Sequence, residues 1–283
     1  MELSDIVQKH RLNESEQVEL SAYIANRFAD CEEITEPDTN FLKAWDSAIY
    51  YSYLFGAADT INTKICPKRP VQFTSPDTVE INMYLSFAGK IPIIYVRDTA
   101  DFEQLVTNIA YKGERPDGFE NIGAAFISGK TVRYLILSAK PYSNVPAYEL
   151  GLDNSEDWSE KSLLLRRGHE CTHYFTNQTF GVTNNILHDE VMADFIGMYE
   201  AFGFYKAEWF LRFMGIIKGS GDRLTFYTKN LSPKVLRAVS ELITAVAYRL
   251  EEWSNTKGFK ALDNPERIKI MCRKGLAGMI NAF

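Results

Sequence analysis

Two histidines and a glutamate in the middle of the chain have the spacing of a hydrolytic metal site. The pentad His-Glu-Cys-Thr-His occupies residues 169–173. Residues four apart project from the same side of a helix, so His169 and His173 can offer two imidazole nitrogens to one ion. Two ligands one turn apart suit Zn²⁺, and the intervening Glu170 then sits beside the open coordination position as a general base. The pentad therefore predicts a zinc site with hydrolytic chemistry.

A second helical pattern, residues 184–197, carries two acidic residues one turn apart, Glu190 and Asp194. A glutamate supplies the third zinc ligand in some catalytic sites and leaves a fourth position for water. A carboxylate one turn beyond it can accept a hydrogen bond from the far nitrogen of a ligating histidine and fix its tautomer. We therefore expect a cluster built from two neighbouring helices.

The combined pattern over residues 160–200 resembles the gluzincins, the thermolysin-like clan of zinc metallopeptidases. The resemblance implies that His169, His173 and Glu190 hold Zn²⁺. It also implies that Glu170 activates a water molecule and that Asp194 orients the first histidine. The metal, the general base and the supporting carboxylate are thus all expected on these two helices.

Two residues beside Glu190 in the sequence are alternatives to it as the third ligand. Glu190 comes a few residues earlier than in thermolysin, and Asp189 replaces the usual asparagine, so Asp189 stays open as an alternative ligand. His188 is a second alternative, but it lies about 200° round the helix from Glu190, and a capping or surface role is favoured. The metzincin pattern is excluded because Thr176 and Thr179 occupy its glycine and third-histidine positions.

A tetrahedral oxyanion needs a further hydrogen-bond donor. The resemblance implies a tyrosine or histidine from beyond the zinc helices, and only His10 and His188 remain among the histidines. A tyrosine is the better candidate. Tyr227, which follows the third-ligand helix in a glycine-rich neighbourhood, is our choice, with Tyr205 and Tyr248 as rivals.

The composition restricts the classes of protein to which the chain can belong. The formal charge of −6 argues against a nucleic-acid-binding surface. The N-terminus has neither a basic start nor an apolar run, and no stretch approaches the length of a membrane span. The cysteines lack metal-binding or disulfide spacing, which favours a reducing cytoplasm; they are Cys31, Cys66, Cys171 and Cys272.

Period-two patterns predict a small β-sheet before the active helix. The strands form two hairpins, at 79–87 with 91–96 and at 124–128 with 132–137. The fold class we expect is α+β and zincin-like, with the sheet packed over the active helix and helical N- and C-terminal parts. The expected segments are a helical region at 1–66, a core with the sheet and metal-binding helices at 70–204, and a helical subdomain at 205–283.

The ends of the two metal-binding helices also carry expectations. Asp157 or Ser159 is a plausible N-cap of the first helix. Thr183 or Asn184 can cap the second, which stops near Gly203.

We also have expectations for three residues just before the pentad and for one hairpin. Arg166 and Arg167 are surface charges or a clamp for a substrate carboxylate, with the surface reading favoured. Gly168 weakens a helix interior, so close packing beside the metal is its expected reason. The 124–137 hairpin is the candidate platform for an extended peptide, if one of its strands is an edge.

The sequence thus predicts a zinc metallopeptidase that hydrolyses peptide bonds in a peptide or protein substrate, with no nucleic-acid or membrane partner. One alternative is a dedicated regulatory protease with a single protein substrate. The other is an inactive zincin-fold protein whose metal is structural or absent. The intact Glu170 argues against the second alternative, because a structural site has no need of a base.

Overall fold

A computed structural model describes residues 2–36, 38–129, 132–182, 187–281 and 283. The fold is α+β, 59% helical, with a small mixed sheet. The helices are α1 (Leu3–Lys9), α2 (Glu14–Tyr23), α3 (Leu42–Phe55), α4 (Ala57–Thr60), α5 (Thr99–Ala110), α6 (Ser155–Phe180), α7 (Leu187–Phe202), α8 (Ala207–Phe213), α9 (Leu224–Tyr227), α10 (Pro233–Ser254), α11 (Lys257–Ala261) and α12 (Asn264–Met279). None of the helices in the described ranges is both long and apolar enough to cross a bilayer.

The sheet has four strands in the order β1-β2-β4-β3. They are β1 (Val79–Ser86), β2 (Gly89–Val96), β3 (Ala124–Ser128) and β4 (Arg133–Ser138). Both predicted hairpins are confirmed, since β1 pairs with β2 and β3 with β4 in antiparallel fashion. The hairpins join through a parallel pairing of β2 with β4, which α5 makes possible by crossing between them. This order leaves β1 and β3 as the sheet edges.

The sheet lies over α6, as the sequence predicts. Side chains alternate between the two faces of a strand. Phe126 of β3 packs edge-to-face on Tyr174 of α6, with 6.3 Å between ring centroids. On the opposite face, Tyr134 of β4 lies 4.8 Å from the ring of Trp45 in α3. The sheet therefore separates α6 on one side from α3 on the other.

Two hydrophobic cores divide the chain. One core joins the first two helices to the C-terminal helices and α7, with Ile6 and Leu20 as buried members. The other joins the sheet to α3, α5 and one face of α6, with Phe41 and Trp45 among its members. The expected N-terminal segment, 1–66, is thus shared between the two cores.

Helices α6 and α7 meet at a pair of glycines. A Cβ atom on Gly168 would lie 2.8 Å from the Cα of Gly197. A Cβ on Gly197 would lie 2.5 Å from the carbonyl oxygen of Leu165, which is closer than any real contact. The absence of both side chains lets the two backbones touch. Gly168 therefore has the close-packing role expected of it, and its partner is Gly197.

The start of α6 differs from the prediction. Asn154 is the N-cap, and its side chain accepts a hydrogen bond from the backbone N–H of Glu156. The expected caps, Asp157 and Ser159, lie inside the helix, so that prediction is wrong. The expected caps of α7, at 183 and 184, lie outside the described residues.

Candidate metal centre

Three side chains from α6 and α7 converge on one point. The Nε2 atoms of His169 and His173 are 3.0 Å apart. Glu190 places its Oε2 3.5 Å from the first of these nitrogens and its Oε1 3.6 Å from the second. Ligand atoms around a tetrahedral ion with bonds of about 2.0–2.1 Å lie about 3.3–3.4 Å apart. This group, which is buried or half-buried, can therefore hold a metal ion.

The other nitrogen of each imidazole faces a carboxylate. His169 Nδ1 lies 2.7 Å from Asp194 Oδ1, and His173 Nδ1 lies 2.6 Å from Asp189 Oδ2. The hydroxyl of Thr176 donates to the remaining oxygen of Asp189 at 3.2 Å. When Nδ1 carries the proton and donates it to the carboxylate, the Nε2 lone pair of each ring points at the centre. Asp189 thus contacts the ring of His173 and is not a member of the converging group.

His188 lies away from this group, so the alternative that it replaces Glu190 is wrong. It is 3% exposed. Its Nε2 is 3.1 Å from the carbonyl oxygen of Met271, and its ring packs edge-to-face on Phe28 at 5.2 Å. Burial lowers the pKa of His188 to about 4, which keeps the ring neutral.

A guanidinium bridges two of the carboxylates of α7, those of Glu190 and Asp194. Arg223 comes just before α9, and its Nη2 donates to Glu190 Oε2 at 2.7 Å. Its Nη1 donates to both oxygens of Asp194, at 2.9 and 2.8 Å. Burial acts to raise the pKa of Asp194, but Arg223 and His169 outweigh it and hold that pKa well below its usual range. The carboxylates are therefore ionised beside a fixed cation.

Tyr142 completes the network behind His169. Its hydroxyl donates a short hydrogen bond to Asp194 and accepts one from Arg223 Nη1 at 2.9 Å. The same oxygen is 2.9 Å from His169 Nδ1. The two residues that follow Tyr142 both have positive φ, 52° and 58°, although neither is glycine. Such strained backbone is characteristic of functional sites, where the surrounding structure holds it in place.

Arg166 anchors the segment that carries Tyr142. It is 5% exposed, so the favoured reading of a surface charge is wrong. Its guanidinium donates, at 2.9, 2.5 and 3.0 Å, to the carbonyl oxygens of Ser138, Lys140 and Pro141. Arg167 is half-buried and lies over the ring of Tyr84, 4.3 Å from its centroid. Arg166 therefore fixes the chain between β4 and Tyr142 through three hydrogen bonds to backbone carbonyls.

The converging group opens into a cleft of about 840 Å³. One wall is the outer edge of β3, residues 124–127, and another is the segment around α9. Glu170 lines the cleft next to the group, and among the described residues its carboxylate forms no hydrogen bond or ion pair. A half-buried carboxylate without such partners is available to contact a bound molecule.

The three candidate tyrosines have different positions. Tyr227 lines the cleft and places its hydroxyl 3.5 Å from Arg223 Nη2. Burial raises its pKa, so the hydroxyl stays protonated and can donate. Tyr205 is 3% exposed in the core and Tyr248 is 49% exposed on the surface, and neither lines the cleft. Of the three, Tyr227 alone is placed to reach a bound molecule.

Sequence reasoning missed Tyr142 and Arg223. Tyr142 begins a short 3₁₀ helix and Arg223 lies in a turn, and neither has a fixed spacing to the pentad that a helical period would reveal. The glycine-rich stretch before Arg223 was the signal nearest to it.

Comparisons with known proteins leave the activity open. No curated protein sequence and no solved structure matches the chain. A family model matches residues 53–133 and 131–281, a span that contains the converging group, Arg223 and Tyr227. Because the match covers more than half of the chain, the protein belongs to the DUF7005 family, a family of unknown function.

Proposed function

We propose that this protein is a zinc-dependent metallopeptidase with a zincin-like fold. The observation that carries the proposal is the convergence of His169, His173 and Glu190 on a cleft that Glu170 also lines. Two histidines and a glutamate are a ligand set of catalytic zinc sites, which keep a fourth position for water or substrate. The sheet lying over α6 supports the zincin-like fold.

The residues present fit Zn²⁺ in spacing and in chemistry. Each imidazole has its far nitrogen held by a carboxylate, as ligating histidines almost always have. When bound, Zn²⁺ would supply a Lewis acid that polarises a carbonyl and lowers the pKa of water to about 7. Asp189 and Asp194 fix the ring orientations that this requires.

Glu170 is the general base in this proposal. Its carboxylate takes a proton from the attacking water and delivers it to the leaving amine. Tyr227 faces the same cleft with a protonated hydroxyl, and it donates a hydrogen bond to the oxygen that gains charge in the transition state. The two residues thus divide proton transfer and charge stabilisation between them.

The edge strand β3 supports a peptide as the substrate. Its inner edge pairs with β4, and its outer edge borders the cleft. An extended peptide can add to such an edge as one more strand, with main-chain hydrogen bonds supplying affinity.

We also place the activity in the cytoplasm, which the four free cysteines support.

The test is the substitution Glu170→Gln in the full chain, with zinc content and hydrolysis measured together. The probes are unfolded casein and a panel of short peptides. We expect one zinc per chain and a loss of hydrolysis of about 10²- to 10⁴-fold. Glu156→Gln, at an exposed position of the same helix, is the matched control and keeps full activity.

Two outcomes would count against the proposal. Hydrolysis by the Glu170→Gln protein at the unsubstituted rate would remove Glu170 from the chemistry. A zinc-loaded unsubstituted chain that cleaves none of the probes would replace a general peptidase with a protease dedicated to one protein.

A further inference from the structure

Arg223 contacts one oxygen of the third metal ligand and leaves the other free. Its Nη2 donates to Glu190 Oε2 at 2.7 Å, and this oxygen lies 3.5 Å from His169 Nε2. The other oxygen, Oε1, lies 3.6 Å from His173 Nε2 and has no contact with Arg223 within hydrogen-bond distance. The guanidinium does not depend on Glu190 for its position, because its other amino group is bound to Asp194 and Tyr142. Arg223 comes from a different segment than the ligands, so it forms a third, independent side of the centre.

A carboxylate can bind a metal ion through one oxygen or through both. An oxygen that already accepts a charge-assisted hydrogen bond has less electron density to give to a metal. The fixed, planar fork of a guanidinium also restrains the rotation that would present both oxygens equally. Glu190 therefore has one oxygen committed to Arg223 and one available to an ion.

We propose that Arg223 restricts Glu190 to one-oxygen coordination and so keeps a metal position open for water. Arg223 is a positioning residue in this role, since it acts through Glu190. The inference rests on the metal-binding part of the proposed function and not on peptide hydrolysis.

The positive charge of Arg223 distinguishes its proposed role from that of a residue that only supports the metal ligands structurally. Three carboxylates, those of Asp189, Glu190 and Asp194, surround the two histidines. In the metal-free protein Arg223 balances part of this charge. Beside a bound divalent ion the same cation is repulsive. Its removal therefore takes away a repulsion and frees the second oxygen of Glu190, so metal binding does not weaken. A purely structural support would have the opposite effect.

The experiment is a titration of the metal-free full chain with Co²⁺, followed by visible absorption, in the unsubstituted protein, Arg223→Gln and Arg223→Lys. Arg212→Gln is the matched control, because Arg212 has a similar exposure, 17% against 15%, and pairs with Glu149 and Glu208 outside the centre. Competition with Zn²⁺ gives the relative affinity.

For Arg223→Gln we expect Co²⁺ binding at least as tight as in the unsubstituted protein. The intense four-coordinate spectrum should become the weaker spectrum of a five-coordinate ion. Arg223→Lys should be intermediate, because one ammonium cannot bridge both carboxylates, and Arg212→Gln should change nothing. Hydrolysis by Arg223→Gln should fall by about 10- to 100-fold.

Two results would overturn the inference. One is a four-coordinate Co²⁺ spectrum in Arg223→Gln. The other is a loss of Co²⁺ affinity of about tenfold or more, which is what loss of a supporting contact produces. Because the spectrum needs no substrate, a chain that binds Co²⁺ but hydrolyses none of the probes would refute a general peptidase and leave this inference standing.

Discussion

The two sides of the converging group differ in how they are held. The closed side consists of His169, Asp194, Tyr142 and Arg223, and its Asp194 side chain is fully buried. The open side consists of Glu170, His173 and Asp189, and the His173 side chain is twice as exposed as that of His169, 16% against 8%. The closed side has a cation that balances its carboxylate, whereas the open side has none within its own set.

This difference indicates separate roles for the two sides. Burial acts to lower the pKa of His173, but Asp189 and Glu190 outweigh it and raise that pKa to about 10 in the metal-free protein. A metal ion that binds to His173 must displace a proton from its ring. The charge of the open side therefore changes when a metal ion binds. On the closed side the charge of the carboxylate is already balanced by a cation, and the side chains are fixed by hydrogen bonds. We infer that the closed side sets the positions of the ligands while bound molecules exchange on the open side.

The largest expected effect comes from removing the carboxylate of the closed side. Asp194→Ala leaves the buried guanidinium of Arg223 without its main partner, and it should lower the free energy of unfolding by about 3–5 kcal/mol. Asp189→Ala on the open side removes the carboxylate that hydrogen-bonds His173 and Thr176, and it should cost about 1–3 kcal/mol. Urea unfolding of the metal-free proteins measures both. Equal losses would erase the distinction between the two sides.

A tyrosine of the closed side and one of the cleft provide the second comparison. Tyr227→Phe should lower kcat about 10²- to 10³-fold, because the donor to the developing oxyanion is lost, with little change in KM. The hydroxyl of Tyr142 is already engaged with Asp194 and Arg223, so Tyr142→Phe should act mainly on stability and metal affinity. Steady-state kinetics on casein-derived peptides separates the two. A larger loss of kcat in Tyr142→Phe would reassign the donor.

The third prediction concerns His188, which shares α7 with both sides and contacts neither. Its pKa in the folded protein is about 4, below the unfolded value of about 6.5. The unfolded chain therefore binds the proton first as the pH falls. This histidine contributes no penalty above pH 6.5, and stability should decline by about 3 kcal/mol between pH 6.5 and 4.

The control for this pH effect is His188→Gln, which retains a donor for the carbonyl of Met271. Urea unfolding of both proteins across that pH range isolates the histidine from the carboxylates that titrate there too. Parallel curves for the two proteins would show that His188 is not the group responsible.

The smallest expected effect tests the contact that brings α6 and α7 together. Gly197→Ala forces a methyl group against the carbonyl of Leu165 and should lower the free energy of unfolding by about 1–3 kcal/mol. Because α7 must move away from α6, metal affinity should fall with it. Gly258→Ala has no atom closer than 3.9 Å and serves as the control in thermal unfolding. Unchanged metal affinity in Gly197→Ala would mean that the close contact does not position Glu190.

The sequence predicts the part of the site that follows helical periodicity. His169, His173, Glu190 and Asp194 could be located because one-turn spacings on two adjacent helices put side chains on a common side. The two hairpins were predictable in the same way from their period of two. Gly168 signalled a close approach, since a helix interior tolerates glycine only at a cost.

The remainder depends on contacts between distant segments. Arg223 and Tyr142 reach Asp194 from segments 29 and 52 residues away, through irregular backbone that no local pattern encodes. The parallel pairing of β2 with β4 and the division of 1–66 between two cores are likewise tertiary results. Asp189 shows the same limit, because its spacing made it a candidate ligand and only the fold shows that it binds the ring of His173.

The most direct test of the central claim is the metal content of the purified full chain after incubation with Zn²⁺ and removal of the excess, by mass spectrometry of the elements. We predict one zinc per chain in the unsubstituted protein and in Glu170→Gln, and none in His169→Ala. Zinc retained at one per chain in His169→Ala, or no zinc in the unsubstituted protein, would contradict a metal centre built from His169, His173 and Glu190.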